Sequence, residues 1–384
     1  MKYIAVGKFS FNSSPENVPL NTLFDDGFNS LDFHIHAPLF QSILNGSDWH
    51  DTAYYQQVRE KLEDGVRIYG IEPQTTHVED ELDKWYQSRV ELFNDIKENG
   101  CKIPITYVKK ADVNGNVYNC MDDGYHRCGI AKVLGQDSVP SVCLNKELYE
   151  IAHEIAQQFY GGEQKLYQPI YGESLLSALS DWQVIRSGTT RRAQMIAEFL
   201  PSIEGKKVQI LDIGCNMGYF SHLLADLCPQ ARVLAVDTVP CYAQWTATLT
   251  RVLSVTGPHW YKGRIVVWQG DYQDIISKAP FDVIVNLSVF HHIYLRDEDE
   301  FAARLNRLSE IADCMIFEMG TAEEHYIAQR LKSQHRTLVY QRDIPNLLAR
   351  YTNFQVRNLG MSDYRSLFLC THEDKDSVSN KLRR

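Results

Sequence analysis

The sequence of 384 residues has neither an excess of basic residues nor a long apolar run. It carries 39 Lys and Arg against 49 Asp and Glu, a formal net charge of −10. The basic residues are dispersed, which disfavours a non-specific hold on DNA or on an anionic membrane surface. The first residues, MKYIAVGKFSF, lack the apolar run and the small-residue cleavage site of a signal peptide, and no later run could span a bilayer. We therefore expect a cytoplasmic protein.

Paired cysteines are also lacking. The nine cysteines are an odd number, and their spacing includes no C-x-x-C pair and no zinc-ligand pattern. They are expected to be reduced, buried thiols, and no metal site is expected from them. The length favours two domains, and the sequence does not indicate an oligomeric state.

A strand, a glycine turn and a helix follow one another in residues 208–224, VQILDIGCNMGYFSHLL. The buried-strand pattern of Val208–Ile213 runs into Gly214 and Gly218, and apolar residues then recur at helical spacing. Glycines let a ligand approach the backbone, and the free N–H groups of a helix start favour a negatively charged group. The candidate cofactor-binding residues in this stretch are Asp212, Gly214, Cys215, Asn216, Gly218, Tyr219 and Phe220.

The spacing is D-x-G-x-x-x-G, which differs from the dinucleotide pattern G-x-G-x-x-G. It resembles the first motif of class I S-adenosylmethionine (SAM) methyltransferases, and four further features follow in the order of that family. The strands are Val233–Val236, Ile265–Trp268, Phe281–Leu287 and Cys314–Phe317. The resemblance implies an α/β fold with a Rossmann-like seven-stranded sheet over residues 201–372, and SAM as the cofactor.

Polar residues at the ends of these strands complete the implied cofactor site. Asp237 is expected to accept hydrogen bonds from both ribose hydroxyls. Asp271 and Tyr272 are expected to hold the adenine, while Asn286 and Ser288 belong to the fourth motif, which faces the transferred methyl group. His291 and His292 follow that motif, on a turn that we expect to be extended.

Two kinds of methyl acceptor remain open. The sulfonium leaving group needs no acid, and a base is needed only for a neutral hydroxyl, where His291 or His292 would be the catalytic residue. A phosphate or carboxylate is already an anion, and arginines that hold it would then matter more. The candidate substrate-binding arginines are Arg186, Arg191, Arg192 and Arg365.

Upstream, the pattern predicts a helix from Glu79 to Asn99, strands at Ile103–Val108, Val117–Met121 and Val139–Leu144, and a helix that ends at Leu134. A G-x-x-x-P-I segment and a G-x-H-R turn lie among them. Together they resemble the ParB/sulfiredoxin superfamily across Glu81–Leu144. The resemblance implies ATP or CTP with magnesium, held by Gly100, Pro104, Gly124, Tyr125, His126 and Arg127.

This chain departs from both namesakes of that superfamily. Tyr125 stands where sulfiredoxin has its catalytic cysteine, and no DNA-reading helix-turn-helix follows as in ParB. Nucleotide binding or phosphoryl transfer remains open, with Asp122 and Asp123 as catalytic candidates that could hold magnesium or act as a base. Alternatively, the domain is a scaffold that only positions the substrate.

The expected organisation has five parts. Residues 1–75 form a mixed extension and 76–146 the ParB/sulfiredoxin-like domain; 147–200 are a linker with capping helices, 201–372 the methyltransferase domain and 373–384 a flexible tail. The predicted helices are Glu147–Tyr160, Leu175–Ile185, Thr190–Leu200, Glu323–Leu331 and Ile344–Tyr351. Phe354–Leu359 and Ser366–Cys370 are expected to be an antiparallel pair.

The run FDVIVNLSVFHHI resembles the bifunctional kinase-methyltransferases that terminate bacterial O-antigen polysaccharides. This resemblance implies O-methylation of a phosphate or hydroxyl on a glycan or sugar phosphate, with the N-terminal domain binding a nucleotide and acting as a kinase. One alternative is a small-molecule O- or N-methyltransferase whose N-terminal domain only shapes the acceptor site. Another is a nucleotide-regulated methyltransferase of nucleic acid or protein, which the acidic charge disfavours.

Overall fold

The computed structural model describes residues 11, 13–24, 36–73, 77–112, 114–172, 179–186, 188–199, 207–257, 261, 263–276 and 280–372. The chain divides into two compact units, one ending at Glu147 and one beginning at Leu148. The division falls within a single helix, Leu144–Tyr160. The first unit therefore covers described residues from 11 to 147, and the second covers those from 148 to 372.

The first unit is a five-stranded mixed sheet packed with helices, in the strand order β1-β5-β3-β4-β2. Strands β3 and β4 form an antiparallel pair, and β3 pairs in parallel with β5. Its elements are β1 (Glu16–Pro19), β2 (Leu23–Phe24), α1 (His36–Asn45), α2 (Ala53–Glu63), α3 (Val78–Asn99), β3 (Ile105–Ala111), β4 (Val117–Asp123), α4 (Tyr125–Val133), β5 (Ser138–Cys143) and the start of α5 (Leu144–Tyr160).

Helix α3 shows why the local sequence folds as it does. Three acidic residues in its first turn stabilise the helix by interacting with the positive end of its dipole. Gly100 ends the helix with a φ of 75°. Its buried residues are Leu82, Phe93 and Ile96, which pack in a core with Phe40 of α1. The helices and strands predicted between Glu79 and Leu144 are all present, with ends that differ by a few residues.

The second unit contains a seven-stranded sheet in the order β10-β9-β8-β11-β12-β14-β13. The strands from β10 to β12 pair in parallel, whereas β14 is antiparallel to both β12 and β13. Its elements are β6 (Lys165–Leu166), β7 (Gln183–Val184), α6 (Thr189–Phe199), β8 (Gln209–Ile213), α7 (Tyr219–Leu227), β9 (Arg232–Asp237), α8 (Pro240–Thr256), β10 (Ile265–Gln269), β11 (Phe281–Leu287), α9 (Phe290–Arg296), α10 (Glu298–Ile311), β12 (Ala312–Glu318), α11 (His325–Ser333), α12 (Ile344–Tyr351), β13 (Gln355–Ser362) and β14 (Arg365–Thr371).

The central strands of this sheet are buried along nearly their whole length. Six of the seven residues of β11 and six of the seven of β12 are buried, as expected for parallel strands that are covered on both faces. Because parallel strands end at the same edge, the loops after β8, β9, β10, β11 and β12 converge there. This edge is where polar residues at strand ends can form one site.

Several sequence-based predictions need correction. Gln183–Val184 is a strand that pairs with β6, so the end of the helix predicted over Leu175–Ile185 is not helical, and residues 175–178 lie outside the described part. His291 and His292 lie in helix α9, not on an extended turn. The sheet of the first unit includes β1 and β2, which were expected in a separate extension. The expected tail at 373–384 also lies outside the described residues.

Two further predictions from composition can be compared with the structure. None of the nine cysteines forms a disulfide, and eight of them are buried, as expected for interior thiols. Within the described residues, no helix is both long and apolar enough to cross a membrane.

Candidate functional site

A cavity of about 600 Å³ opens at the carboxyl ends of the parallel strands of the second unit. The glycine turn after β8 lines it through Gly214 and Asn216, and Asp237 at the end of β9 lines it as well. The cavity is also lined by residues that come after β10 and β11, namely Asp271, Tyr272, Ser288 and His292. The cavity therefore brings together six of the strand-end residues that the sequence analysis selected and the histidine at the start of α9.

The glycine turn requires glycine for steric reasons. Gly214 has a φ of 70°, and a Cβ there would lie 2.2 Å from Cγ2 of Val289. Gly218 has a φ of 72°, and its Cβ would lie 2.6 Å from Cγ2 of Thr246. A positive φ is costly for other residues, and both positions also lack room for a side chain. The turn is thus held closely against the loop after β11 and against helix α8.

Asp237 is fixed by the backbone of the same edge. Its Oδ2 accepts a hydrogen bond from the Asn216 N–H (2.8 Å), and its Oδ1 accepts one from the Val239 N–H (2.9 Å). Burial raises the pKa of this carboxyl group above its usual value, while the backbone donors lower it. Each carboxylate oxygen retains a further lone pair, so Asp237 can still accept hydrogen bonds from two hydroxyl groups.

Asp212 supports the turn from behind the cavity wall. It is only 3% exposed, and its Oδ2 accepts a hydrogen bond from Ser221 Oγ at 2.5 Å. Burial raises the pKa of Asp212 to about 7. Asp212 does not line the cavity, and five other predicted cofactor residues lie outside the lining with it, namely Cys215, Gly218, Tyr219, Phe220 and Asn286.

The loop after β10 is organised by an arginine that the sequence analysis missed. Arg304 of α10 lies with its guanidinium carbon 5.4 Å from the centre of the Tyr272 ring and pairs with Asp271. Both Arg304 and Asp271 line the cavity. A positively charged group over the face of an aromatic ring is stabilised by the ring's electron density. Arg304 therefore orients both residues that were predicted to hold the adenine.

A buried charge cluster lies behind Ser288. Glu318, at the end of β12, is fully buried, and its Oε1 accepts hydrogen bonds from Ser288 Oγ (2.6 Å), Arg186 Nη2 (3.2 Å) and Arg192 Nη1 (3.4 Å). Nη1 of Arg365 lies 3.6 Å from the same oxygen. Glu318 was not selected from the sequence as a site residue, although it ends a parallel strand just as Asp237 does, which is the signal that would have identified it.

The substrate-binding arginines are thus divided by the structure. Arg186, Arg192 and Arg365 converge on Glu318, and Glu324 and Asp363 pair with Arg365 and Arg186, respectively. These three arginines do not line the cavity. Arg191 is exposed and takes no part in the cluster. The expectation that free arginines face the acceptor is therefore not supported by the geometry, because carboxylates neutralise the three buried ones.

The two histidines occupy different positions at the start of α9. His292 lies at the surface of the cavity and is partly exposed, whereas His291 is buried, and their ring centres are 4.0 Å apart. Burial lowers the pKa of both rings, and the positive charges of Arg330 and Arg365 lower that of His292 further. Neutral imidazole can accept a proton, so His292 is the histidine that can act as a base towards a molecule in the cavity.

The first unit has a cavity of its own, of about 570 Å³. It is lined by the turn at Gly124, Tyr125, His126 and Arg127, together with Asp123. The sequence analysis missed the other residues that line it, namely His36, Tyr69, Arg89 and Leu92. They come from α1, α3 and the segment after α2, so no local pattern in the sequence connects them.

Arg127 is engaged by the protein itself. Its Nη1 donates hydrogen bonds to the carbonyl oxygens of Ile103 (2.9 Å) and Pro104 (2.8 Å), and its Nη2 pairs with Asp123 (2.9 Å). Asp122 is buried and accepts a hydrogen bond from Thr106 Oγ1 (2.8 Å). Gly100 and Pro104, expected at the nucleotide, do not line the cavity. In this arrangement Arg127 joins the two motifs to each other.

His126 has a neutral ring in this unit. Its Nε2 lies 3.0 Å from the hydroxyl oxygen of Tyr54, which is also hydrogen-bonded to Tyr69. Burial lowers the pKa of His126 to about 3. Among the residues that the structure describes, no group of three or more His, Cys, Asp or Glu side chains could hold a metal ion.

Comparison with known proteins agrees with the geometry of the second unit. A family model described as a methyltransferase domain matches residues 211–310, so the C-terminal half of the chain contains a methyltransferase domain. The chain is 27% identical over 170 residues to the O-antigen chain terminator bifunctional methyltransferase/kinase WbdD of Escherichia coli. That match covers 42% of this chain and 22% of the relative.

Two solved structures align with about half of this chain. The bifunctional kinase-methyltransferase WbdD aligns with a TM-score of 0.43 and 23% identity, over 56% of this chain and 45% of that one. The methyltransferase domain of bacterial CtHen1 aligns with a TM-score of 0.36 and 16% identity, over 48% of this chain and all of that one.

Proposed function

We propose that this chain is a SAM-dependent methyltransferase that modifies an oxygen atom of a glycan or sugar phosphate. The observation that carries the proposal is the single cavity lined by Asp237, Asp271, Tyr272, Ser288 and His292. A cofactor site and an acceptor site must share one space for a methyl group to pass between them. The partial similarity to the O-antigen chain terminator supports a glycan as the acceptor.

The residues of the cavity fit SAM by their chemistry. Both oxygens of Asp237 retain lone pairs for hydroxyl groups, and Tyr272 with Ile293 and Val239 provides flat and apolar walls for a purine. Oδ1 of Asn216 is buried without a partner among the described residues, and such atoms commonly bind a ligand or water. When bound, SAM supplies a methyl group on a sulfonium that leaves without acid assistance.

The residues of the chain would then orient the acceptor and remove its proton. His292 faces the cavity with a ring that is neutral at neutral pH, so it can take the proton of an acceptor hydroxyl. Ser288 lines the same cavity and can orient that hydroxyl. An acceptor phosphate would need no base, and His292 would then be dispensable.

Calorimetric binding of S-adenosylhomocysteine tests the cofactor site. We expect Asp237→Asn to weaken binding by about tenfold or more, because an amide can no longer accept on both sides. Asp282→Asn is the matched control, because Asp282 lies at the opposite end of β11 and accepts from the Gln209 N–H. Absence of binding to the wild-type protein would refute the proposal. Transfer of labelled methyl from SAM to bacterial glycans, before and after phosphatase treatment, identifies the acceptor oxygen.

Nucleotide binding in the first unit is a second proposal, carried by the cavity at the Gly124 turn. Arg89 lines it, and its guanidinium carbon lies 5.3 Å from the centre of the Trp85 ring. Titration with ATP, ADP and CTP, with and without magnesium, tests this proposal in wild-type protein and in Arg89→Gln. We expect the variant to bind more weakly. Binding by neither protein would leave the first unit as a scaffold.

Kinase activity is a prediction that the arrangement of carboxylates does not favour. Asp123 pairs with Arg127, and Asp122 is hydrogen-bonded to Thr106 in the interior. Asp122 is thus not available as the exposed magnesium ligand that phosphoryl transfer needs, and Asp123, although exposed at the cavity, is already paired with a guanidinium group. Incubation with labelled ATP and dephosphorylated glycan tests it directly, and phosphate transfer that Asp123→Asn abolishes would establish it.

A further inference from the structure

Ser288 occupies a strained position between the cavity and the buried charge cluster. Its φ is 66°, which is uncommon for a residue other than glycine. Its N–H donates to the carbonyl oxygen of Glu318 (2.9 Å), so the backbone after β11 is held to the end of β12. The side chain of the same glutamate then binds the hydroxyl. Glu318 therefore fixes Ser288 at two points.

The direction of the Ser288 proton follows from its partners. A carboxylate paired with guanidinium groups accepts hydrogen bonds and donates none, so Ser288 Oγ donates to Glu318 Oε1 (2.6 Å). A guanidinium donates and never accepts, so Ser288 Oγ accepts from Arg365 Nη1 (2.6 Å). A hydroxyl has one proton and two lone pairs. One lone pair is left for a molecule in the cavity.

We propose that Glu318 is a positioning residue that directs the Ser288 proton away from the cavity. The site then selects an acceptor oxygen that carries a proton, a hydroxyl group, over a free oxyanion. This inference rests on the proposed function and narrows its acceptor. An acceptor hydroxyl donates to the remaining lone pair of Ser288. An oxyanion at the same place meets that lone pair and is repelled.

The charge of the cluster supports the same selection. Three buried arginines face three carboxylates, since Arg365 Nε and Nη2 bind Glu324 at 2.7 and 2.8 Å and Arg186 Nε lies 3.7 Å from Asp363. The cluster is thus neutral as a whole, and its arginines lie behind the wall of the cavity. A fully ionised acceptor would enter without a free cation from this cluster to compensate its charge.

Two variants separate the role of Glu318 from simple charge balance. Glu318→Gln removes one negative charge and weakens the hold on the Ser288 proton. Glu324→Gln is the matched control, because it removes one negative charge from the same Arg365 without touching Ser288. Ser288→Ala removes the lone pair itself and frees Arg365 Nη1 as a donor, and it keeps the test valid if Glu318→Gln does not fold.

The measurement is calorimetric binding of inorganic phosphate to each full-length protein saturated with S-adenosylhomocysteine. We expect Ser288→Ala and Glu318→Gln to bind phosphate at least about tenfold more tightly than wild type, and Glu324→Gln to stay within about twofold. Unchanged or weaker phosphate binding in Ser288→Ala would overturn the inference, as would equal gains in the two glutamate variants. Failure of S-adenosylhomocysteine to bind the wild type would instead refute the proposed function.

Discussion

Arg304 holds Asp271 through two parallel hydrogen bonds, Nη1 to Oδ1 at 3.0 Å and Nη2 to Oδ2 at 2.8 Å. Such a two-pronged pair fixes both orientation and distance. Arg304 also binds Glu300 Oε1 at 2.6 Å, while Arg296 binds the other oxygen of Glu300 at 2.7 Å. The two arginines share a carboxylate and line the same cavity, but Arg304 is buried and Arg296 is exposed.

Replacing Arg304 with Ala is expected to weaken S-adenosylhomocysteine binding by about tenfold, because Asp271 and Tyr272 lose the group that orients them. Arg296→Ala removes the neighbouring cation from the same cavity and should change the affinity by about twofold or less, since an exposed ion pair contributes little. Calorimetry on both variants makes the comparison. Equal losses would show that Arg304 acts only through the charge of the cavity.

A second prediction concerns the pH dependence of methyl transfer to a hydroxyl. His292 must be neutral to accept the proton, and its pKa lies below the usual value of a histidine because of burial and the charges of Arg330 and Arg365. The rate should therefore rise with pH through a midpoint below about 6.5 and then stay level. His292→Gln is expected to lower kcat by about a hundredfold or more and to remove this limb. The pH profiles of kcat and kcat/KM in wild type and in His292→Gln measure both effects.

Arg330→Gln provides the control for this profile. The charge of Arg330 lowers the pKa of His292, so its removal should move the acid midpoint upwards while the level at high pH changes little. An unchanged midpoint in Arg330→Gln would show that another group is the base or that the acceptor needs none. The same conclusion would follow if the rate of His292→Gln still rose with pH through the same midpoint.

Much of the second unit could be predicted because its signals are local. Buried strands, the glycine turn and helix ends are set by neighbouring residues, so Phe281–Leu287 and Ile344–Tyr351 were predicted with their observed bounds. The partners of the site residues depend on contacts far apart in sequence and could not be predicted. Arg304 reaches Asp271 across 33 positions, and Arg192 reaches Glu318 across 126. Three of the four arginines that suggest an anion site in the sequence are therefore paired with carboxylates in the fold.

The glycine turn allows steric exclusion to be separated from backbone strain. Gly214 and Gly263 have φ values of 70° and 80°, but a Cβ at Gly214 would lie 2.2 Å from Val289, whereas none of the described atoms lies within 4 Å of one at Gly263. Gly263→Ala should cost about 1 kcal/mol from backbone strain. Gly214→Ala should cost about 3 kcal/mol or more and abolish S-adenosylhomocysteine binding. Thermal unfolding with calorimetry compares them, and similar costs would contradict the contact with Val289.

The neutral ring of His126 should make the first unit sensitive to acid. Its pKa in the folded chain is about 3, because burial disfavours the charged form, whereas an unfolded histidine has a pKa near 6.5. The unfolded chain therefore binds more protons between these values, so the stabilisation is complete above about pH 6.5 and is lost as the pH falls.

At pH 5 the linkage relation predicts a loss of about 2 kcal/mol relative to pH 7.5. Hydrogen exchange of the α4 amides measures the opening free energy at both pH values, in wild type and in His126→Gln, which has no titrating ring. The opening free energy of the wild type minus that of His126→Gln should be smaller at pH 5 than at pH 7.5 by that amount. A His126 ring proton whose chemical shift titrates near pH 6.5 would contradict the buried, neutral histidine beside Tyr54, and would indicate instead that water reaches the ring through the cavity that it lines.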